Sequence, residues 1–186
     1  MKNKNWRKFM RKIVYYVASS IDGYISGLND DVSGFIYEGD GVQKYLNDLG
    51  SYDTVIMGKN TYEFGYKHGL KPGQPAYPNM SHYIFSNSLT FKQQENSVHV
   101  CPRELSEIEL IRNQSGTDIY LCGGGIFAGW LLDNELIDIL KIKLNPIILG
   151  QGVRLFGGSQ KAFKAELVDS QVYEKGLQII TFNIMY

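Results

Sequence analysis

Three consecutive glycines, Gly123, Gly124 and Gly125, interrupt the apolar run from Ile119 to Leu132. A short apolar stretch leads into them, and apolar residues resume at helical spacing after them, which predicts a strand, a tight turn and a helix. Glycine has no Cβ, so main-chain N–H groups there can come close to a ligand, and the head of the next helix adds partial positive charge. A phosphate or pyrophosphate fits such a turn, which points to a nucleotide. The same three glycines also make a plain strand-to-helix turn, and the run alone does not choose between the two readings.

The elements that would position this turn follow from hydrophobic periodicity. Ile13 to Ala18 reads as a buried strand. Val42, Tyr45, Leu46 and Leu49 stand at i, i+3, i+4 and i+7 and predict a helix. Thr54 to Met57 is a second buried strand, ended by Gly58 and followed by a short helix over Asn60 to Tyr66. His82 to Phe85 and Ser97 to Val100 read as strands, and Glu104 to Gln114 as a helix whose acidic first turn suits the helix dipole. Asp118 to Cys122 and Ile126 to Leu132 complete the alternation, which argues an α/β fold with a mainly parallel sheet and helices on both faces. The last third differs: Leu136 to Leu144 is a strand, Pro146 to Gly152 a loop, and Ser170 to Lys175 with Leu177 to Met185 an antiparallel hairpin around Gly176.

Composition restricts what such a fold can do. The chain has 186 residues, 44% of them hydrophobic, which suits one domain, expected over 13–186, behind a basic extension over 1–12. Either Met1 or Met10 could start the natural chain, and the extension is expected to be frayed. Formal net charge is zero with scattered basic residues, so neither nucleic acid nor a membrane is expected as a partner. Nothing in the N-terminal stretch is long and apolar enough for a signal peptide or a span, which suggests a cytoplasmic protein. Cys101 and Cys122 lack Cys-x-x-Cys spacing, so free thiols and no metal site are expected, with Cys122 a small buried filler at a strand end. Pro72, Pro75 and Pro78 mark an exposed loop within the domain.

Four segments in fixed order make a more specific pattern: Val14 to Gly27, Val55 to Glu63, Tyr83 to Asn87, and Ile119 to Leu132. Together they resemble the dihydrofolate reductase family. Ser20 to Ile25 and Leu144 to Gly152 are similar to the branch that includes the reductase domain of the riboflavin-biosynthesis deaminase/reductase. The likeness runs from about Ile13 to the C-terminus. It implies a three-layer, dihydrofolate reductase-like fold with an eight-stranded sheet, an NADPH cofactor and a homodimer.

The same resemblance assigns contacts to particular residues. Val17 and Ala18 at the end of the first strand, with Ile25 in the following loop, match positions that hold the nicotinamide, and Gly23 and Gly27 would let that loop bend over a flat ring. Lys59 and Thr61 follow Gly58 at a strand-to-helix turn, where a lysine can pair with the adenosine 2′-phosphate and a hydroxyl can meet pyrophosphate. Ser86 and Asn87 match a small polar pair for the same 2′-phosphate. Cys122, Gly123, Gly124, Gly125, Ile126 and Phe127 would line the pyrophosphate turn. Taken singly, Lys59 is also an ordinary helix-start lysine and Ser86-Asn87 an ordinary turn. All three sites fall at C-terminal ends of parallel strands, where α/β sheets form their ligand crevice.

Substrate chemistry is less determined. Familiar dihydrofolate reductases place an acid on the helix before the second strand, and counting back from Gly58 puts Val42 there. Glu38 and Asp40 are the nearest carboxylates, and Asp40 is either a catalytic acid or the N-cap of that helix. Asp22 is the other acidic candidate near the ring, or else it fixes its own loop through local hydrogen bonds. Tyr24, Tyr62 and Tyr66, with Val42, could wall a flat heterocycle, whereas His68 beside Gly69 is expected to face solvent. Lys141, Lys143 and Arg154 are the cations available to a phosphorylated substrate, although Lys141 and Lys143 read as outward solubility lysines on a strand. The expectation is an NADPH-dependent reductase of a small planar heterocyclic or carbonyl substrate, with water or Asp22 delivering the proton. Two alternatives are a 5-amino-6-(5-phosphoribosylamino)uracil reductase and a nucleotide-binding module without turnover.

Overall fold

The computed structural model describes residues 10–186. Strand β1, Ile13–Ser19, shows the logic of the sheet: Ile13, Tyr15 and Val17 join one buried cluster, while Val14 and Tyr16 join another on the opposite face. Period-two alternation between two apolar faces requires helices on both, and both are covered. The remaining main-sheet strands are β3 (Thr54–Gly58), β4 (Ser81–Phe85), β5 (Val98–Cys101), β6 (Ile119–Gly123), β7 (Ile139–Leu144), β9 (Lys164–Val172) and β10 (Gln178–Met185). Their order is β5-β4-β3-β6-β1-β7-β10-β9, parallel from β5 to β7 and antiparallel where β10 pairs with β7 and β9. Helices α3 (Leu105–Arg112) and α4 (Gly125–Asp133) bury Ile108, Ile111, Phe127, Ala128 and Leu131 on one face. Helices α1 (Asp40–Leu49) and α2 (Lys59–Phe64) cover the other with Leu49, Tyr45 and Tyr62.

Three details depart from the sequence expectations. A small antiparallel pair, β2 (Tyr24–Ser26) with β8 (Val153–Arg154), joins the loop after β1 to the loop before β9. Strand β9 starts at Lys164, well before Ser170, and all nine of its residues are exposed, so no buried alternation announces it. Arg11 is 8% exposed and pairs with Asp53 and the Thr117 carbonyl, which places it in the folded domain. The rest of the expected basic extension, residues 1–9, lies outside the described residues.

Candidate functional site

Strands β3 and β6 are neighbours and parallel, so the turns that follow them open side by side. At the second turn Gly123 has φ +134, and the Gly123–Gly124 peptide is cis. A Cβ on Gly124 would stand 2.8 Å from Thr61 Oγ1, so the bare backbone of one turn faces the hydroxyl of the other. Gly125 serves a different purpose. Its missing Cβ would meet the Arg154 carbonyl at 2.0 Å, so this glycine lets the 154–157 segment pack on the head of α4. The first amides of α4, at Gly125, Ile126 and Phe127, have no acceptor within their own helix. Ile126 turns its side chain outward at 65% exposed. The Phe127 side chain corrects an expectation: it is buried between Phe85 and Trp130, with ring centroids at 4.8 and 5.8 Å, so only its main chain can line the turn.

The polar residues expected for the adenosine end lie on the same rim. Lys59, first residue of α2, holds Glu63 at 3.7 Å with both side chains 36% exposed, a contact weak enough to be exchanged for an anion. Ser86 Oγ accepts the amides of Ser88 and Leu89 at 3.1 and 3.0 Å, and Asn87 Oδ1 accepts that of Arg103 at 3.1 Å. Their acceptor atoms therefore build the turn, while the Ser86 hydroxyl proton and the Asn87 amide protons remain to donate. The turn-forming reading holds, and it uses only the acceptor atoms of the pair.

At the end of β1, Val17 is buried in the α3/α4 core, Ala18 sits half-buried on the other face, and Ile25 packs against the same core as Val17. The loop between them is tied down. Asp22 accepts hydrogen bonds from Ser20 Oγ (2.7 Å) and from the amides of Leu149 (3.0 Å) and Gly150 (2.6 Å). These bonds, Ser20 foremost, hold its carboxyl down to about 2, so it is ionised at neutral pH and has no proton to give. Tyr24 donates to the Gly150 carbonyl at 3.3 Å, Ile21 N–H to Ile147 and Leu155 N–H to Gly23. A cleft of about 450 Å³ runs between this loop and the following strap, with Asp22, Tyr24, Arg154, Phe156 and Ser159 on its walls. Across the rim, Lys67 Nζ bonds the Asn29 carbonyl and the Asp30 carboxylate at 3.2 and 2.9 Å, joining the loop after β2 to the chain after α2. His68 is exposed and packs on Phe64.

On the α1 face several expectations change. Gly39, not Asp40, is the N-cap of α1, and the exposed Asp40 gives its own amide to the Glu174 carboxylate. Val42 is buried, as an apolar residue at that position of α1 must be. Tyr62 does not wall the site: it is 1% exposed and its hydroxyl donates to the Gln74 carbonyl at 2.7 Å, pinning the proline-rich loop. Tyr66 packs edge-on against it. Lys141 and Lys143 are not outward solubility residues. They point under α1, where Lys141 pairs with Asp48 over the Tyr16 ring and Lys143 is 5% exposed. Burial pushes the Lys143 pKa down. Sequence reasoning also passed over Tyr45, Tyr77 and Cys122 as polar groups. Tyr45 bonds Tyr120 hydroxyl to hydroxyl at 3.2 Å, and Tyr77 meets the Cys122 thiol at 3.4 Å, with Cys122 half-buried and not a sealed filler. One signal was present: Tyr45 stands one helical turn after Val42, on the face that must meet the sheet.

The sheet order, two covered faces, C-terminal hairpin and row of turns at the parallel strand ends define the dihydrofolate reductase-like class of α/β proteins. Dihydrofolate reductase from Enterococcus faecalis, complexed with NADP(H), superposes with a TM-score of 0.64 at 14% identity over 94% of this chain and 97% of its own. Within that class the RibD C-terminal domain matches residues 11–179, and the chain belongs to that family. A protein of Shewanella sp. PV-4 named for riboflavin biosynthesis has a TM-score of 0.77 at 24% identity, covering 95% of this chain and all of that one. The deaminase/5-amino-6-(5-phosphoribosylamino)uracil reductase of Thermotoga maritima matches at TM-score 0.67 and 17% identity, covering 96% of this chain and 58% of the larger protein.

Proposed function

We propose that the chain is an NADPH-dependent reductase of a small planar heterocyclic or carbonyl substrate. The observation that carries this reading is the order of groups along adjacent strand ends. Ser86 and Asn87 follow β4, Lys59 and Thr61 follow β3, Gly123 and Gly124 end β6, and Val17 and Ala18 end β1. Those four strands are consecutive in the sheet and span roughly 14 Å at the usual strand spacing, the reach of an extended dinucleotide. Phosphate donors come first, the bare glycine turn next, and a partly apolar strand end last, the sequence in which adenosine phosphate, pyrophosphate and nicotinamide occur in NADPH.

When bound, the nicotinamide supplies hydride, and the chain's residues hold, orient and shield it. Lys59, Ser86 and Asn87 donate to the 2′-phosphate, and the first amides of α4 with Thr61 donate to pyrophosphate. Ala18 and Ile25 bound the ring, and the loop fixed by Asp22 limits water at that end. Asp22, ionised and fully bonded, is a positioning residue here, which leaves the proton to water or to a group on the α1 face. NADPH should bind more tightly than NADH, and Lys59→Ala should narrow that gap by about 1 to 2 kcal/mol in calorimetric titrations. Equal affinity of the unmodified chain for both nucleotides would remove the basis of the assignment.

The same reading includes a homodimer. Strand β9 is the open edge of the main sheet and exposes Leu167, Val168 and Val172, at 59%, 55% and 71%. An edge of that length with apolar side chains calls for a cover. Analytical ultracentrifugation should return twice the chain mass, and Val168→Lys with Val172→Lys should return the monomer.

A further inference from the structure

Helix α1 starts on a sequence that does not hold its own head. Gly39, at the N-cap, brings no side chain to accept the first amides, and Gly41 inside the first turn lowers helix propensity. The first amides of a helix have no partners within it, so an acceptor has to come from elsewhere. It comes from the turn between β9 and β10. The Glu174 carboxylate accepts the Asp40 amide at 2.5 Å, and a Cβ on Gly39 would stand 2.0 Å from the same oxygen, so this carboxylate takes the place of the missing cap. Its negative charge also suits that end of the helix dipole. A Cβ on Gly41 would meet Leu177 at 2.6 Å and Tyr173 at 2.8 Å, the two residues that flank the turn. Both glycines are therefore bare where the turn seats on the helix.

A second anchor holds the other end of the helix. Asp48 accepts from Lys44, from Lys141 on β7 and from Tyr16 on β1, the last at 3.2 Å. The chain leading into α1 is also held from the end of β7: the Ile36 amide donates to Asn145 Oδ1 at 2.9 Å, and the Lys143 ammonium donates to the Ile36 carbonyl. Lys175, next to Glu174, pairs with Glu38 at 2.9 Å, but those side chains are 58% and 66% exposed, so this pair fastens little. Between the two anchors Tyr45 lies edge-on to Tyr16, with ring centroids at 4.7 Å, and bonds the Tyr120 hydroxyl. A helix fixed at head and tail fixes what it carries between them, here Val42 and Tyr45.

We propose that Glu174 is a positioning residue for the α1 face of the site: it caps α1 from a turn 134 residues away and so sets where Val42 and Tyr45 stand. Val42, the position that the resemblance gives to an acid, is the third residue of this helix, two beyond the capped amide. Without the cap, Asp48 and Lys141 still hold the tail of α1 while its head is free to shift, and the residues of the first turns move with it. The proposal rests on the reductase reading only in treating the α1 face as the side that takes the substrate.

The ring resonances of Tyr45 report where α1 lies, because that ring packs edge-on to Tyr16 five residues beyond the capped amide. Glu174 is exposed, so truncating it opens no cavity. Glu174→Ala should speed amide exchange at Val42 and Gln43, which bond the Gly39 carbonyl, by about three- to tenfold, and should shift the Tyr45 ring resonances. Glu174→Gln keeps an acceptor oxygen and should restore both in large part. Lys175→Met removes only the exposed pair with Glu38 and should change neither. NADPH affinity by calorimetry should stay within about twofold in all three variants, because the proposed cofactor row lies on the ends of β4, β3, β6 and β1. Faster exchange with an unmoved Tyr45 would make the cap a local fastening and overturn the proposal. An unaltered Glu174→Ala, a Glu174→Gln as severe as Glu174→Ala, or an equal effect from Lys175→Met would overturn it too. A Tyr45 shift in a chain that does not bind NADPH would overturn the reductase reading and leave the role of Glu174 standing, and NADPH binding with an unmoved Tyr45 would do the reverse.

Discussion

The two ends of the sheet carry similar polar residues and treat them in opposite ways. At the N-terminal ends of the strands, Arg11 is paired with Asp53, whose carboxylate also takes the Thr117 amide and the Thr54 hydroxyl at 2.8 Å each. Arg112, 1% exposed, donates to the Arg11 carbonyl at 3.0 Å and to Asp138 at 2.9 Å, and Asp138 also accepts the Ile13 amide at 2.8 Å. Donors and acceptors there are interleaved, and among the described residues Arg112 Nη1 is the one buried side-chain nitrogen without a partner. At the C-terminal ends the acceptors are used up in forming turns, and the donors of Ser86, Asn87, Lys143 and the head of α4 remain. Polarity by itself therefore does not mark the site. The imbalance between donors and acceptors does, because donors left over along a rim at strand ends can be taken up by an anion.

The largest effect should come from breaking the balanced end. Asp138→Ala leaves Arg112 charged and unpaired in the interior, which should cost about 3 to 5 kcal/mol in urea unfolding while NADPH affinity of the folded protein stays unchanged. A parallel fall in affinity would mean that the two ends are not separable.

The glycine turn allows a sharper division within three residues. Gly125→Ala drives a Cβ into the Arg154 carbonyl and should destabilise by about 1 to 3 kcal/mol. Gly124→Ala meets only the movable Thr61 hydroxyl, so it should cost less than about 1 kcal/mol of stability and weaken NADPH binding instead. Should both variants lose stability and affinity alike, the assignment of Gly124 to the ligand and Gly125 to packing is mistaken.

The smallest effect concerns the latch at the ring end. Because the folded state lowers the Asp22 carboxyl from 3.8 to about 2, its contribution is complete above pH 3.8 and lost as the pH falls through about 2. Amide exchange at Leu149 and Gly150 should accelerate selectively in that window. Asp22→Asn should show the faster exchange already at neutral pH, and an unaltered rate would show that the β2–β8 pairing holds the loop without the carboxylate.

Much of the fold was legible because burial imposes period. The parallel strands β1, β3, β4 and β6 are continuous apolar runs closed by glycine or polar turns, and α1 shows its apolar stripe at the expected spacing. Strand β9 was only partly legible, since an edge strand exposed throughout carries no alternation. The pair β2–β8 escaped because two short segments, far apart in sequence, have a partner only once the loops meet. In the site, the glycine turn, Lys59 and the Ser86-Asn87 turn could be located from motif order, but which atoms were already engaged could not. Phe127 and Tyr62 illustrate the limit: aromatic residues next to a binding turn look alike whether they face the crevice or the core.

Residue order along the chain settled the alternation of strands and helices, and with it the placing of glycines and small polar residues where strands end, because local spacing dictates which side of an element can be buried. Only the tertiary structure decided the fate of the charges. Lys141 and Lys143 are the same residue type on the same face of one strand, and one is neutralised by Asp48 while the other is left with spare protons. That distinction depends on which helix lies above them and where its carboxylate falls, a relation between residues 48 and 141 that no local pattern encodes.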